Sequence, residues 1–134
     1  MDLAPHPSPH VERVKALLEE LGVPREVPSL VGGAWHSGSG DTLHLIDPAS
    51  AGTLLSFKDG GREAANEACE AATKGFAAWQ ALSAVERGRI LWAVGQAVSA
   101  RVDALAELEC LSAGKPIRDA RVEVTKVAEM FQYY

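Results

Sequence analysis

The chain has 134 residues, a length that suits one domain or part of one. Apolar residues make up 47% and charged residues 23%, the balance of an ordinary globular protein, which excludes a wholly disordered chain, a collagen-like repeat and a disulfide-stapled mini-protein. Thirteen Lys and Arg against eighteen Asp and Glu leave a net charge of −5, with no basic stripe to displace the counterions of a duplex, so nucleic acid is not an expected partner.

Residues 1–9 include Pro5, Pro7 and Pro9 and have no apolar run of signal-peptide length. Proline cannot propagate a helix, so this segment reads as a disordered tail. From His10 to Leu21 the apolar Val11, Val14, Leu17, Leu18 and Leu21 recur at helical spacing, between Glu12, Lys15 and Glu19. Gly22 and Pro24 close that amphipathic helix, and a Pro linker follows to Pro28. Three short strands are then expected. Ser29 to Trp35 and Thr42 to Ile46 flank Ser37-Gly38-Ser39-Gly40, which suggests a hairpin between them, with Gly33 marking a bulge. After the turn Asp47-Pro48-Ala49-Ser50-Ala51-Gly52 comes Thr53 to Phe57, completing a β-meander too small for a core of its own.

Everything after Gly61 reads as helix. Arg62 to Ala81 sets Ala65, Ala68, Ala72, Phe76 and Trp79 on one stripe, where small side chains permit close approach of a neighbour. Ser83-Ala84-Val85-Glu86 has the form of a capping box and opens a second helix with Gly88, Leu91, Gly95 and Val98 on one face. A break near Ala100 to Asp103 leads to Leu105, Leu108 and Leu111, and Gly114 with Pro116 stops that helix. From about Ile117 a last helix carries Val124, Val127, Ala128, Phe131 and Tyr134 on one side. It reaches Phe131-Gln132-Tyr133-Tyr134 with no glycine and no basic final turn. Its last carbonyls lack helical partners and its aromatic face needs cover, so this stretch is expected to face polypeptide outside the 134 residues. The alternative is that the aromatics fold back onto the chain's own helices.

No stretch approaches the ~18 to 20 apolar residues that a membrane-crossing helix needs. Cys69 and Cys110 have neither C-x-x-C spacing nor a neighbouring histidine and read as thiols in a reducing compartment, so the expectation is a cytoplasmic protein without a membrane partner. Catalysis by either is disfavoured, since Glu67 and Glu70 flank Cys69, Glu107 and Glu109 flank Cys110, and a thiolate needs a nearby cation. Gly38-Ser39-Gly40 and Gly114-Lys115-Pro116 lack the spacing of phosphate-gripping loops and read as a hairpin turn and a helix stop. His6, His10, His36 and His44 form no pair at metal-ligand spacing.

Six pieces occur in register: Leu30-Val31-Gly32-Gly33-Ala34-Trp35; Ile46-Asp47-Pro48-Ala49 with Gly52; Phe76-Ala77-Ala78-Trp79 ending the Ala-rich helix; Arg87 to Leu91; Gly114-Lys115-Pro116; and Tyr133-Tyr134. In that order and spacing they resemble the start of aldehyde dehydrogenases, most of all the betaine-aldehyde-like branch. The resemblance covers about Leu30 to Tyr134 and leaves out Met1 to Pro28. It implies an α+β arrangement of a small β-meander followed by three to four helices, an incomplete part of the α/β nucleotide-binding domain. The implied organisation is a tail over 1–9, a helix and linker over 10–28, and the N-terminal portion of that domain over 29–134.

By the same resemblance the chain is the N-terminal fragment of an enzyme that oxidises aldehydes to carboxylic acids with NAD or NADP. The family's nucleophilic cysteine, general-base glutamate, oxyanion asparagine and pyrophosphate loop all lie beyond these residues. No catalytic residue is therefore expected, and no NAD or NADP bound by this chain alone. The resemblance also implies a monovalent-cation site using the backbone carbonyls of Leu45 and Ile46, although the family's carboxylate ligand falls at the neutral Ser112. Expected partners are the remaining part of an aldehyde dehydrogenase or a second copy. A stand-alone helical module that docks to a dehydrogenase or to itself is the alternative function.

Overall fold

Helix α1 (Val11–Glu20) forms where the apolar spacing places it, burying Val14, Leu17 and Leu18. Gly22, in the left-handed region at φ +75°, lets the chain turn out of its last turn. The computed structural model describes residues 6–134. Residues 1–5 of the expected tail lie outside that range, whereas His6, Pro7 and Ser8 run beside Thr53 as a short parallel bridge. The Ser8 amide donates to the Thr53 carbonyl (3.0 Å), the Thr53 amide donates to the His6 carbonyl (2.8 Å), and Ser8 is buried.

Four strands form two separate antiparallel hairpins rather than one meander. β1 (Ser29–Val31) pairs with β2 (Ala34–His36), and β3 (Thr42–Ile46) pairs with β4 (Thr53–Lys58). The expected pairing across Ser37 to Gly40 is absent among the described residues. Gly32 and Gly33, with φ +59° and +88°, are themselves the two-residue loop of the first hairpin, not a bulge, because positive φ at both positions matches the twist of the flanking strands. A register shift between Leu45 and Ile46 bends the second hairpin just ahead of Asp47.

Four helices follow: α2 (Gly61–Ala81), α3 (Ala84–Ser99), α4 (Val102–Ala113) and α5 (Ile117–Tyr133). The capping box of α3 is complete: the Glu86 amide donates to Ser83 Oγ (3.3 Å) and the Ser83 amide donates to Glu86 Oε2 (2.8 Å). Arg87 secures the α2–α3 corner by donating to the Leu82 carbonyl at 2.6 Å. Gly114, at φ +72°, ends α4 in the left-handed conformation.

Two apolar clusters hold these elements. Val14 and Leu18 of α1 meet Leu54 and Leu55 of β4, with Leu108 and Leu111 of α4 packed against them. Ala106 of α4 meets Ala120 and Val124 of α5, with Val98, Val102 and Leu105 alongside. Helix α4 contributes to both clusters and so joins them. Arg13 adds an ion pair from α1 to Glu107 of α4 (Nε to Oε1 2.6 Å); both side chains are partly exposed to water, which screens it.

Helix α2 lies outside both clusters. None of its 21 residues is buried, and it packs mainly on β1. Ala64 and Ala71 are half-buried, while Ala65, Ala68, Ala72 and Phe76 of the expected packing stripe are exposed. Of that stripe, Ala65 and Ala68 line a shallow recess with Leu30 and Val31 of β1, and Trp79 is half-buried.

Candidate functional site

The turn between β3 and β4 holds one of the most buried charged side chains described. Asp47 is 2% exposed. Its Oδ2 accepts hydrogen bonds from Ser8 Oγ (2.6 Å) and Ser50 Oγ (2.7 Å), and its Oδ1 accepts one from the Ala49 amide (2.8 Å). These donors stabilise the carboxylate, Ser8 foremost, and hold its pKa down at about 2. Ser8 Oγ also accepts from the His10 amide (3.0 Å), so one hydroxyl ties the approach to α1 onto the turn. With its acceptor capacity taken up in this way, Asp47 is a structural staple and not an acid–base group. Sequence reasoning missed this network, although a serine before a proline just ahead of a helix is a capping signal.

The two carbonyls expected to face a monovalent cation belong to Leu45, half-buried, and Ile46, exposed, at the end of β3. The end of α4 lies beside the turn that follows them, since a Cβ added at Gly114 would sit 2.9 Å from Pro48 Cγ. Ser112, half-buried, is on that helix end. The neighbouring carboxylate, Asp47, is committed to Ser8, Ser50 and Ala49. The oxygens offered at the end of β3 are therefore neutral, without a free carboxylate to add negative charge.

Cys69 is exposed on α2 and Cys110 half-buried on α4, and both are free thiols. Cys110 lines a recess with Asp103, Glu107 and Arg121, where each arginine in contact with the acids is already paired: Arg121 with Asp103 (2.9 Å) and Arg13 with Glu107. Lys115 is held between Glu109 and Glu123, which raise its pKa, so it is a clamp between α4 and α5 and not a free phosphate ligand. In the other glycine-rich segment the Gly40 amide donates to the Asp59 carbonyl (2.8 Å), and a Cβ at Gly38 would meet backbone oxygens of Lys58 and Asp59. Its amides therefore serve the end of β4 rather than an anion. Among the described residues no three His, Cys, Asp or Glu side chains cluster as a metal site, and no helix is long and apolar enough to cross a membrane.

The largest chemically uniform feature is apolar. Leu91 of α3 and Val127, Met130, Phe131 and Tyr134 of the last helical stretch line an open groove of about 480 Å³. The stripe expected along α5 divides: Val124 and Ala128 turn inward together with Ala120, which lies outside the expected stripe, whereas Val127, Phe131 and Tyr134 line the groove. Tyr133 and Tyr134 are 82% and 77% exposed, with their rings edge to face at 5.0 Å. The aromatics do not fold back into either cluster.

An α+β segment with a bent second hairpin, an Asx-Pro turn stapled by the buried Ser8 and an uncovered α5 face defines a class as well as a shape. Residues 35–134 match the family model of the aldehyde dehydrogenase family, and the chain belongs to that family. A betaine aldehyde dehydrogenase of Bacillus subtilis (strain 168) is 32% identical over 107 residues, covering 78% of this chain and 22% of that protein. Among solved structures, HpcC from Thermus thermophilus is similar with a TM-score of 0.78 and 31% identity, over 92% of this chain and 24% of its own. An NAD-dependent benzaldehyde dehydrogenase from Corynebacterium glutamicum has the same fold over 84% of this chain and 24% of its own (TM-score 0.78, 24% identity). The chain thus spans about a quarter of the length of the relatives it matches.

Proposed function

We propose that the chain serves as the N-terminal structural segment of an NAD(P)-dependent aldehyde dehydrogenase and is catalytically silent alone. Oxidising an aldehyde to an acid by this family's route needs a thiolate nucleophile, a hydride acceptor held beside it and a base for hydrolysis. Cys69 and Cys110 stand beside carboxylates that disfavour a thiolate, and neither glycine-rich segment has the spacing of a dinucleotide-gripping loop. The reading is carried by the bare apolar groove along α5, which a self-contained enzyme domain would cover. In this reading the groove and α2 are where the remaining polypeptide of the enzyme packs, in the cytoplasm, whether as one chain or as a partner. Leu45 and Ile46 are the donors this segment offers to a monovalent cation, at a site weakened by Ser112.

The test has two arms. The 134-residue chain, incubated with NAD+ or NADP+ and betaine aldehyde or benzaldehyde, is expected to form no reduced cofactor, and turnover would refute the proposal. In the second arm, residues 35–134 replace the matching segment of the Bacillus subtilis enzyme. The chimera is expected to be soluble and to reduce NAD+; a chimera that folds without activity would count against structural equivalence. The exposed Tyr133 and Tyr134 also favour a second reading, a module that docks to a second copy, and a strictly monomeric chain in size-exclusion chromatography would oppose it.

A further inference from the structure

One recess differs in chemistry from the others described. It lies where α1, the loop after α1 and the β3–β4 hairpin meet, with a volume of about 360 Å³. Lys15, Arg25, His44 and Ser56 line it together with the apolar Val11 and Leu54, and no carboxylate is among its lining residues. In a chain of net charge −5, this recess is lined by two cations and an imidazole, although Glu12 and Glu19 at its margin balance the two cations.

The cations come from separate elements and neither is locked in place. Lys15 Nζ pairs with Glu12 at 2.8 Å and Arg25 Nη2 with Glu19 at 3.1 Å, but those glutamates are 82% and 70% exposed. Ion pairs that open to water are weak and exchange partners readily. His44 Nδ1 is 2.9 Å from the Ser56 hydroxyl, which leaves Nε2 without a partner among the described residues.

We propose that this recess binds the phosphate group of a small phosphomonoester whose carbon body has an apolar ring or chain. Lys15 and Arg25 supply two positive charges for a dianion, and the planar guanidinium matches two phosphate oxygens at once. A carboxylate, with one charge, uses this set less completely. His44 Nε2 adds a donor in the tautomer selected when the Ser56 hydroxyl donates to Nδ1. Val11 and Leu54 provide the apolar contact for the carbon body.

The test uses the full 134-residue chain with inorganic phosphate and with phenyl phosphate, followed by amide proton–nitrogen NMR spectra. Saturable shifts are expected at Lys15, Arg25, His44 and Ser56, with phenyl phosphate bound about tenfold more tightly through its ring. Lys15→Gln with Arg25→Gln is expected to weaken binding at least about tenfold. Lys74→Gln with Arg118→Gln, at exposed positions elsewhere, leaves it unchanged. Shifts that rise without saturation, or equal weakening by both double variants, would overturn the proposal by showing diffuse charge attraction. If the first double variant loses its helical circular dichroism, Arg25→Gln alone decides, since it lies in an exposed loop position; unchanged affinity there also overturns the site.

Discussion

Asp47 sits buried where β3 ends and accepts hydrogen bonds from Ser50 and Ala49 of its own turn and from Ser8, a donor that only the folded chain brings to it. Its pKa falls from 3.8 to about 2 on that account. The folded state thus binds this proton less tightly than the unfolded state, and the carboxylate stabilises the fold above the unfolded value. That contribution is lost as pH falls from about 4 towards about 2. Urea denaturation is expected to show Asp47→Asn less stable than wild type at neutral pH, with the gap closing over that acid range. Ser8→Ala removes a donor to a charged acceptor and is expected to cost on the order of 1.5–3 kcal/mol at neutral pH. The Ser8 contact was not legible locally. Ser8 and Asp47 are 39 positions apart, and nothing in either neighbourhood names the other. What the Asp47-Pro48 pair does announce is a turn, and that much was read.

Glycines mark where α3 approaches its neighbour and where it does not. At Gly95 of α3 an added Cβ would lie 2.8 Å from the Ala128 carbonyl oxygen and 2.7 Å from Gln132 Cγ, so α3 and α5 approach through that bare backbone. Gly95→Ala is expected to push the helices apart at a cost of about 1–3 kcal/mol. Gly88, two turns earlier on the same face, meets nothing within 4 Å, and Gly88→Ala is expected to raise stability by about 1 kcal/mol through helix propensity alone. Thermal and urea denaturation of the two variants side by side check both signs. Helix starts, stops and the α3 capping box were legible because they depend on residues within one turn of each other. Strand pairing was not, because Gly32-Gly33 and Ser37-Gly38-Ser39-Gly40 are both plausible hairpin loops in sequence. The choice fell to the pair whose two positive φ values close a two-residue loop. Nor could periodicity show which stripe of α2 or α5 finds a partner, since spacing marks an apolar face without saying what covers it.

At the scale of the molecule, α1, the second hairpin and α4 form one packed unit, and α3, α4 and α5 another, while α2 and the outer face of α5 add apolar surface without adding core. The order of short motifs made the family legible, and the unburied faces agree with a chain spanning about a quarter of its relatives. Two outcomes follow for the groove residues. If Phe131 and Tyr134 face other polypeptide, replacing both with serine removes sticky surface and leaves the two clusters intact. Static light scattering is then expected to show reduced self-association, with the unfolding free energy within about 0.5 kcal/mol of wild type, the range of surface substitutions. If instead they stabilise the isolated chain by closing over Leu91 and Val127, the double variant loses several kcal/mol, of the order of about 3 per buried aromatic. Their exposures of 36% and 77% decide in favour of the first outcome, because a side chain that remains so accessible has little transfer free energy to lose.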